Sequence, residues 1–148
     1  MKSRIVLFFL AFILFIQPLC AQTAAKLEAL FETSELTWEQ TVAFVLEAAD
    51  LGIQNPEESF RFAMERKWLP KKVSPDDAAR LNGIALLLMQ SFELKGGIFY
   101  RISKSRHHAY RELVYKNVIH NSTDPDMLVS GPQLLLIISR VLTIKEQS

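Results

Sequence analysis

The chain has 148 residues, with 17 Lys and Arg against 16 Asp and Glu, and a single Cys. That length suits one domain, and 49% hydrophobic residues with 22% charged are too apolar a mixture for a disordered chain. A net charge of +1 argues against a nucleic-acid binder, and one Cys excludes an intramolecular disulfide framework and a Cys-rich zinc site.

The first segment is read as an address rather than as fold. Met1-Lys2-Ser3-Arg4 is positive, and Ile5 to Ile16 is an unbroken run of twelve apolar residues. Pro18 and the small residue Ala21 follow. This order matches a secretory signal peptide, residues 1–21, cleaved after Ala21. A membrane-spanning helix needs about 20 apolar residues, which disfavours an uncleaved anchor. Lipidation at Cys20 is disfavoured by bulky Leu19 before it. The mature chain, residues 22–148, is expected in the periplasm or at the cell surface, without a membrane span.

Cleavage leaves 15 basic and 16 acidic residues, unevenly placed. Gln22 to Glu65 holds nine acids and two bases, whereas Arg66 to Ser148 holds thirteen bases and seven acids. Either the halves neutralise one another, the favoured reading, or the molecule has a positive side. In the first case the bases would lie against Glu28, Glu32, Glu57 or Glu58.

Helix signals dominate the mature chain. Thr37-Trp38-Glu39-Gln40 is a capping box, and Trp38, Val42, Val45 and Ala49 then recur at helical spacing up to a stop at Gly52. Asn55-Pro56-Glu57-Glu58 combines an N-cap, a Pro whose missing N–H costs nothing, and acids in the first turn. Ser74-Pro75-Asp76-Asp77 predicts another start, before the apolar run Ile84 to Met89. Ser130-Gly131-Pro132-Gln133 predicts one more, before Leu134 to Ile138. No sustained alternation of period two occurs. The fold class is all-α.

A shift of 50 residues aligns Phe60–Phe92 with Tyr110–Leu142 without a gap, with thirteen positions apolar in both. Phe60, Ala63, Met64 and Trp68 fall on Tyr110, Leu113, Val114 and Val118, and Leu86 falls on Leu136. Both leucines are therefore expected at equivalent buried positions. A third copy fits ahead of these, with Ala24 to Phe31 and Thr37 to Leu51 as its helices. Three helix–loop–helix units are expected at about 24–51, 56–92 and 107–142, and the segment Glu93 to Arg106 is an insertion between copies.

This unit resembles the S-layer homology repeat. The resemblance is clearest in Ala109 to Ile119, which looks like that family's first helix. Thr123-Asp124-Pro125-Asp126-Met127 follows like its Asp-containing loop, and Val129 to Leu142 resembles its second helix. The likeness covers residues 24–142. It implies three units packed as a pseudo-threefold bundle and attachment to anionic cell-wall polysaccharide. The family's glycan-binding Thr-Arg-Ala-Glu, however, is here Thr37-Trp38-Glu39-Gln40, Arg80-Leu81-Asn82-Gly83 in a shifted register, and Ser130-Gly131-Pro132-Gln133. None keeps the Arg in its place, so the implied fold carries over without the implied ligand chemistry.

Candidates for chemistry are few. Asp76-Asp77 and Asp124-Pro125-Asp126 invite a calcium reading, yet counting from Asp124 places Val129 sixth and Leu135 twelfth, where an EF-hand needs Gly and Glu. Turn chemistry accounts for these acids. His107, His108 and His120 lack the convergence a zinc site needs, so neither metal nor cofactor is expected. Lys95 to His120 holds six bases, one acid, Glu112, and interleaved aromatics. Arg and aromatic rings together suit carbohydrate or anionic polymer. The binding residues expected are Arg101, Arg106, Arg111, Lys116, Tyr100 and Tyr110. A solvated connector with core aromatics is the favoured plain explanation of the same stretch, and Trp38 and Trp68 are expected as core anchors.

Taken together, the residues predict an exported, non-enzymatic envelope domain for binding or assembly, with an envelope polysaccharide or envelope protein as its partner. The chain ends six residues after Leu142, so no catalytic module is expected to follow. One alternative is a protein–protein subunit that uses Ile98-Phe99 as an apolar patch. The other is a small periplasmic enzyme acting on wall glycan, which would need two facing carboxylates or a carboxylate–His pair.

Overall fold

A computed structural model describes residues 17–53, 55–120 and 124–147, with side chains from Ala24 onward. The apolar run Ile5–Ile16 and the side chain of Cys20 lie outside the described residues. The chain divides after Thr33. In the first part, α1 (Gln17–Glu32) covers the helix expected over Ala24–Phe31, starts earlier, and spans the Ala21–Gln22 bond.

The second part is all-helical among the described residues, with two isolated antiparallel bridges and no strand. Its helix starts follow side-chain chemistry. In α2 (Trp38–Ala48) the Thr37 hydroxyl accepts from Gln40 N at 3.3 Å while Gln40 Oε1 accepts from Thr37 N at 3.1 Å. Before α3 (Pro56–Glu65), Asn55 Oδ1 accepts from Glu57 N at 3.0 Å. Before α7 (Gly131–Glu146), Gln133 Oε1 accepts from Ser130 N at 3.0 Å.

The start expected at Ser74 is a correction. Residues 74–77 form a turn in which Asp77 Oδ2 accepts from Ser74 N at 2.7 Å, and α4 begins only at Leu81, running to Ser91. Ala78 to Arg80 stay extended because their backbone is committed sideways, to Thr37 on one side and Leu128 on the other. The insertion Glu93–Arg106 contains a helix that periodicity could not detect, α5 (Ile98–Ser103). It is followed by α6 (Arg106–Tyr115), where Ser105 Oγ accepts from His108 N at 3.3 Å.

Helices α2, α3, α4 and α6 end in the same way. Asp50, Lys67, Glu93 and Asn117 take φ of 57°, 60°, 54° and 58°. The next residue donates five positions back: Leu51 N to Leu46 O, Trp68 N to Ala63 O, Leu94 N to Met89 O and Val118 N to Leu113 O, at 2.9–3.1 Å. These are Schellman closures built without glycine. Gly52, the expected stop for α2, also has positive φ (70°), but the turn is made two residues earlier.

The segments preceding α2, α4 and α7 meet at the centre. Ala79 N donates to Leu36 O at 2.8 Å and Leu36 N to Val129 O at 3.0 Å. Two further pairs of bonds correspond: Trp38 N to Asp77 O beside Leu81 N to Met127 O, and Glu39 N to Pro75 O beside Asn82 N to Pro125 O. Around this junction α2 packs against α3, α4 and α7, α4 against α6, and α5 against α6. Ile84 to Met89 of α4 are all buried, so the apolar run serves as the central core. Trp38 is core, as expected, at 2% exposure.

The equal burial expected for Leu86 and Leu136 does not occur, since Leu86 is 6% exposed and Leu136 is 50% exposed. The cause is position. Every face of α4 is covered, whereas α7 buries one stripe (Leu134, Ile137, Ile138, Val141) and turns Leu136 outward. Val114 is likewise exposed, unlike the alignment's apolar stripe.

A basic groove as the candidate functional site

The turn after α3 and the turn after α4 face a common space. The Schellman closure at Lys67 sets Arg66 and Trp68 side by side, and the Arg66 guanidinium lies 4.2 Å from the Phe62 ring centre and 5.5 Å from that of Trp68. Trp68 meets Phe62 edge-on at 5.6 Å and 83°. The ring is half-buried, not a core anchor as expected, and its open side lines the groove.

The other wall comes from Gly96-Gly97 and α5. A Cβ on Gly96 would collide with the Tyr100 ring, and one on Gly97 would sit 2.7 Å from Glu112 Oε1, which accepts from Gly97 N at 2.8 Å. The two glycines let the chain fold closely enough for Tyr100 to plug the core at 5% exposure. Gln90 Nε2 donates to the Tyr100 hydroxyl oxygen at 2.6 Å. Burial pushes the Tyr100 phenol above its ordinary pKa of 10.0; the Gln90 bond lowers it and the nearby charge of Glu112 raises it.

The resulting groove encloses about 770 Å³, and Arg66, Lys95, Arg101 and Lys104 line it with Glu93 as the one carboxylate. A second groove of about 470 Å³ shares Glu93 and Lys95 and adds Lys116 and Lys145, extending the positive band. Its arrangement of planar guanidinium groups, amines and an indole edge suits a ligand with carboxylate or phosphate groups on an extended, partly apolar backbone.

Arg101 and Lys116 therefore stand on this band. Arg106 and Arg111 are exposed but line neither groove. Tyr100, expected as a stacking partner, lines the groove with only 5% of its surface exposed, and Tyr110, at 9%, lines neither groove, so little of either ring is open for stacking. Arg66 and Trp68 supply the guanidinium–aromatic pair instead. The signal that could have found them is the sequence Arg66-Lys67-Trp68 at a helix exit, where a left-handed residue turns its neighbours outward. Among the described residues, no ion pair joins Arg101, Arg106, Arg111 or Lys116 to Glu57 or Glu58. Glu28 and Glu32 belong to the first part of the chain.

The acids act in turns. Asp124 Oδ1 accepts from Asp126 N at 2.8 Å, and Asp126 Oδ1 accepts from Asn82 Nδ2 at 2.6 Å. No group of three His, Cys, Asp or Glu side chains that could hold a metal occurs among the described residues. His108 Nδ1 lies 2.7 Å from Ser103 Oγ and 2.9 Å from Ser105 Oγ, within the cap of α6. A separate cavity of about 400 Å³, floored by Leu81, Ile119 and Ile137, is lined also by His120, Asp124 and Arg140. No family model matches the chain, and no curated protein or solved structure matches it.

Proposed function

We propose that the chain is an exported, non-enzymatic cell-envelope domain of three helix–loop–helix units, and that its basic groove binds anionic envelope polysaccharide. The observation carrying the binding role is the convergence of Arg66, Lys95, Arg101 and Lys104 beside a half-open Trp68 in one groove of about 770 Å³. A wall-glycan enzyme would need two facing carboxylates or a carboxylate–His pair; the basic groove has Glu93 as its one carboxylate, which favours binding there, while His120 and Asp124 share the lining of the separate 400 Å³ cavity and keep the enzyme as the second reading.

The three-unit reading, and with it the likeness to the S-layer homology repeat, draws support from recurring backbone geometry. Helix starts at Pro56 and Arg106, and at Leu81 and Gly131, keep the 50-residue offset, as do the left-handed residues Lys67 and Asn117. The paired bonds at the central junction relate the α2 entry to the α4 entry in the same manner. Unequal burial of Leu86 and Leu136 counts against equal cores, so the support lies in caps and turns. Export rests on the Lys2/Arg4 region, the run Ile5–Ile16 and Ala21.

The test is co-sedimentation with purified cell-wall material at low and high salt, alongside Arg101→Glu/Lys104→Glu. Exposed charges are screened beyond a Debye length of about 8 Å at physiological ionic strength. Binding should therefore fall steeply with salt and be lost on charge reversal. Binding indifferent to both would overturn the polysaccharide reading.

A further inference from the structure

Helix α5 is six residues long, yet it carries three of the most exposed large apolar side chains in the described structure. Ile98, Phe99 and Ile102 are 71%, 75% and 80% exposed. Their spacing, i, i+1 and i+4, puts them on one face. Contacts other than those of Ile98 and Ile102 attach the helix. Tyr100 anchors it, Gly97 N is held by Glu112, and Phe99 rests one ring face on His108 at 6.0 Å and 17°. The apolar face is thus held outward on a fixed support.

The chain around it is predominantly cationic. From Leu94 to Arg111 the chain has Lys95, Arg101, Lys104, Arg106 and Arg111 and no Asp or Glu. Glu112, the first acid, has one oxygen committed to Gly97 N. Arg101 and Lys104 sit within three residues of all or part of the apolar face, with Arg106 just beyond, and all three are exposed.

We infer that α5 is a docking element for an anionic lipid surface, with Ile98, Phe99 and Ile102 entering the headgroup–acyl boundary and the surrounding cations pairing with headgroup phosphates. A projecting apolar face flanked by Arg101, Lys104 and Arg106, with Glu112 at the start of α5 as the one acid shown beside it, complements a fluid, anionic, apolar-centred phase, and long Lys and Arg side chains can hold their charges at headgroup level while the centre enters. A second copy of this chain fits less well. A twofold contact sets the same patch against itself and so brings cationic rims together. This inference is independent of the polysaccharide reading, sharing with it only the charges of Arg101 and Lys104.

The test is flotation of the full chain with phosphatidylcholine vesicles and with vesicles of equal parts phosphatidylcholine and phosphatidylglycerol. Strong binding is expected only with the second. Ile98→Ser/Phe99→Ser/Ile102→Ser should weaken it by about tenfold for each side chain removed, with wall-polysaccharide binding retained. Removing Arg101 or Lys104 should weaken it about fivefold each. In Phe99→Trp, emission from the introduced indole should shift to the blue on addition of anionic vesicles and be quenched by brominated acyl chains. Equal binding to both vesicle types, undiminished binding by the Ser variant, or emission from that indole unchanged in the bound state would each overturn the inference. Self-association abolished by the same Ser substitutions would assign the face to a second copy instead.

Discussion

Gly83→Ala sets two effects of opposite sign against one another at the central junction. Gly83 lies in the first turn of α4, where exchange for Ala would by propensity alone gain up to about 1 kcal/mol. The added Cβ, however, would lie 2.6 Å from Trp38 Cη2, 2.8 Å from Trp38 Cζ2 and 3.2 Å from Pro70 Cγ. The indole has nowhere to go. It is 2% exposed, at the first position of α2, and Trp38 N is held by Asp77 O at 2.9 Å. Forcing an extra carbon into such a site costs about 1–3 kcal/mol, so the variant should be less stable by roughly 1–2 kcal/mol. In a second background, Trp38→Phe removes the outer indole ring and carries its own cavity cost. There Gly83→Ala should become neutral or favourable, giving a coupling of about 1–3 kcal/mol in a double-mutant cycle. Urea denaturation of the four proteins measures it. A stabilised Gly83→Ala, or the same cost in both backgrounds, would refute the packing argument.

Leu86→Ala should cost about 2–5 kcal/mol, while Leu136→Ala, at a half-exposed site, should cost less than about 1 kcal/mol; equal losses in chemical denaturation would contradict the unequal burial of the two helices. Lys67→Gly relieves a left-handed, non-glycine closure and should stabilise by about 1 kcal/mol. Asn117→Gly should gain less, because Asn tolerates that conformation, and thermal melts of both variants decide it. The Tyr100 phenol has a raised pKa in the folded state, so its contribution to stability is fully present below the unfolded value of 10.0 and is lost as pH rises through the folded value. Tyr100→Phe should flatten the decline of stability above about pH 10; an unchanged slope would mean the phenol titrates alike in both states.

Local chemistry was readable residue by residue where a side chain closes its own turn. Thr37, Asn55 and Ser130 each announce a helix because the bond that caps it spans two or three residues. The error at Ser74 shows the limit of that logic. The same Ser-Pro-Asp-Asp pattern makes a turn, since the backbone at Ala78–Arg80 is drawn into bonds with residues some 40 positions away in either direction. Helix α5 is not legible in the sequence because a six-residue helix leaves no period to count, and it is fixed by Tyr100 filling space that Gly96 leaves open and by Glu112 closing on Gly97. The basic groove was half visible: Lys95 to Lys116 carried the charge, but Arg66 and Trp68 come from a turn some 30 residues earlier. The burial of Tyr100 and Tyr110 depends on which face of α5 and α6 meets the core, and a mixed run of aromatics and cations does not say.

The groove contains the one tryptophan with an open face, because Trp38 is sealed in the core. Tryptophan emission during titration with purified anionic wall polysaccharide therefore reports occupancy of the groove itself. A saturable change is expected that disappears in Trp68→Phe and at high salt, and that is absent from Arg101→Glu/Lys104→Glu. Polysaccharide binding with no change in Trp68 emission, or an undiminished change in the charge-reversed protein, would contradict it.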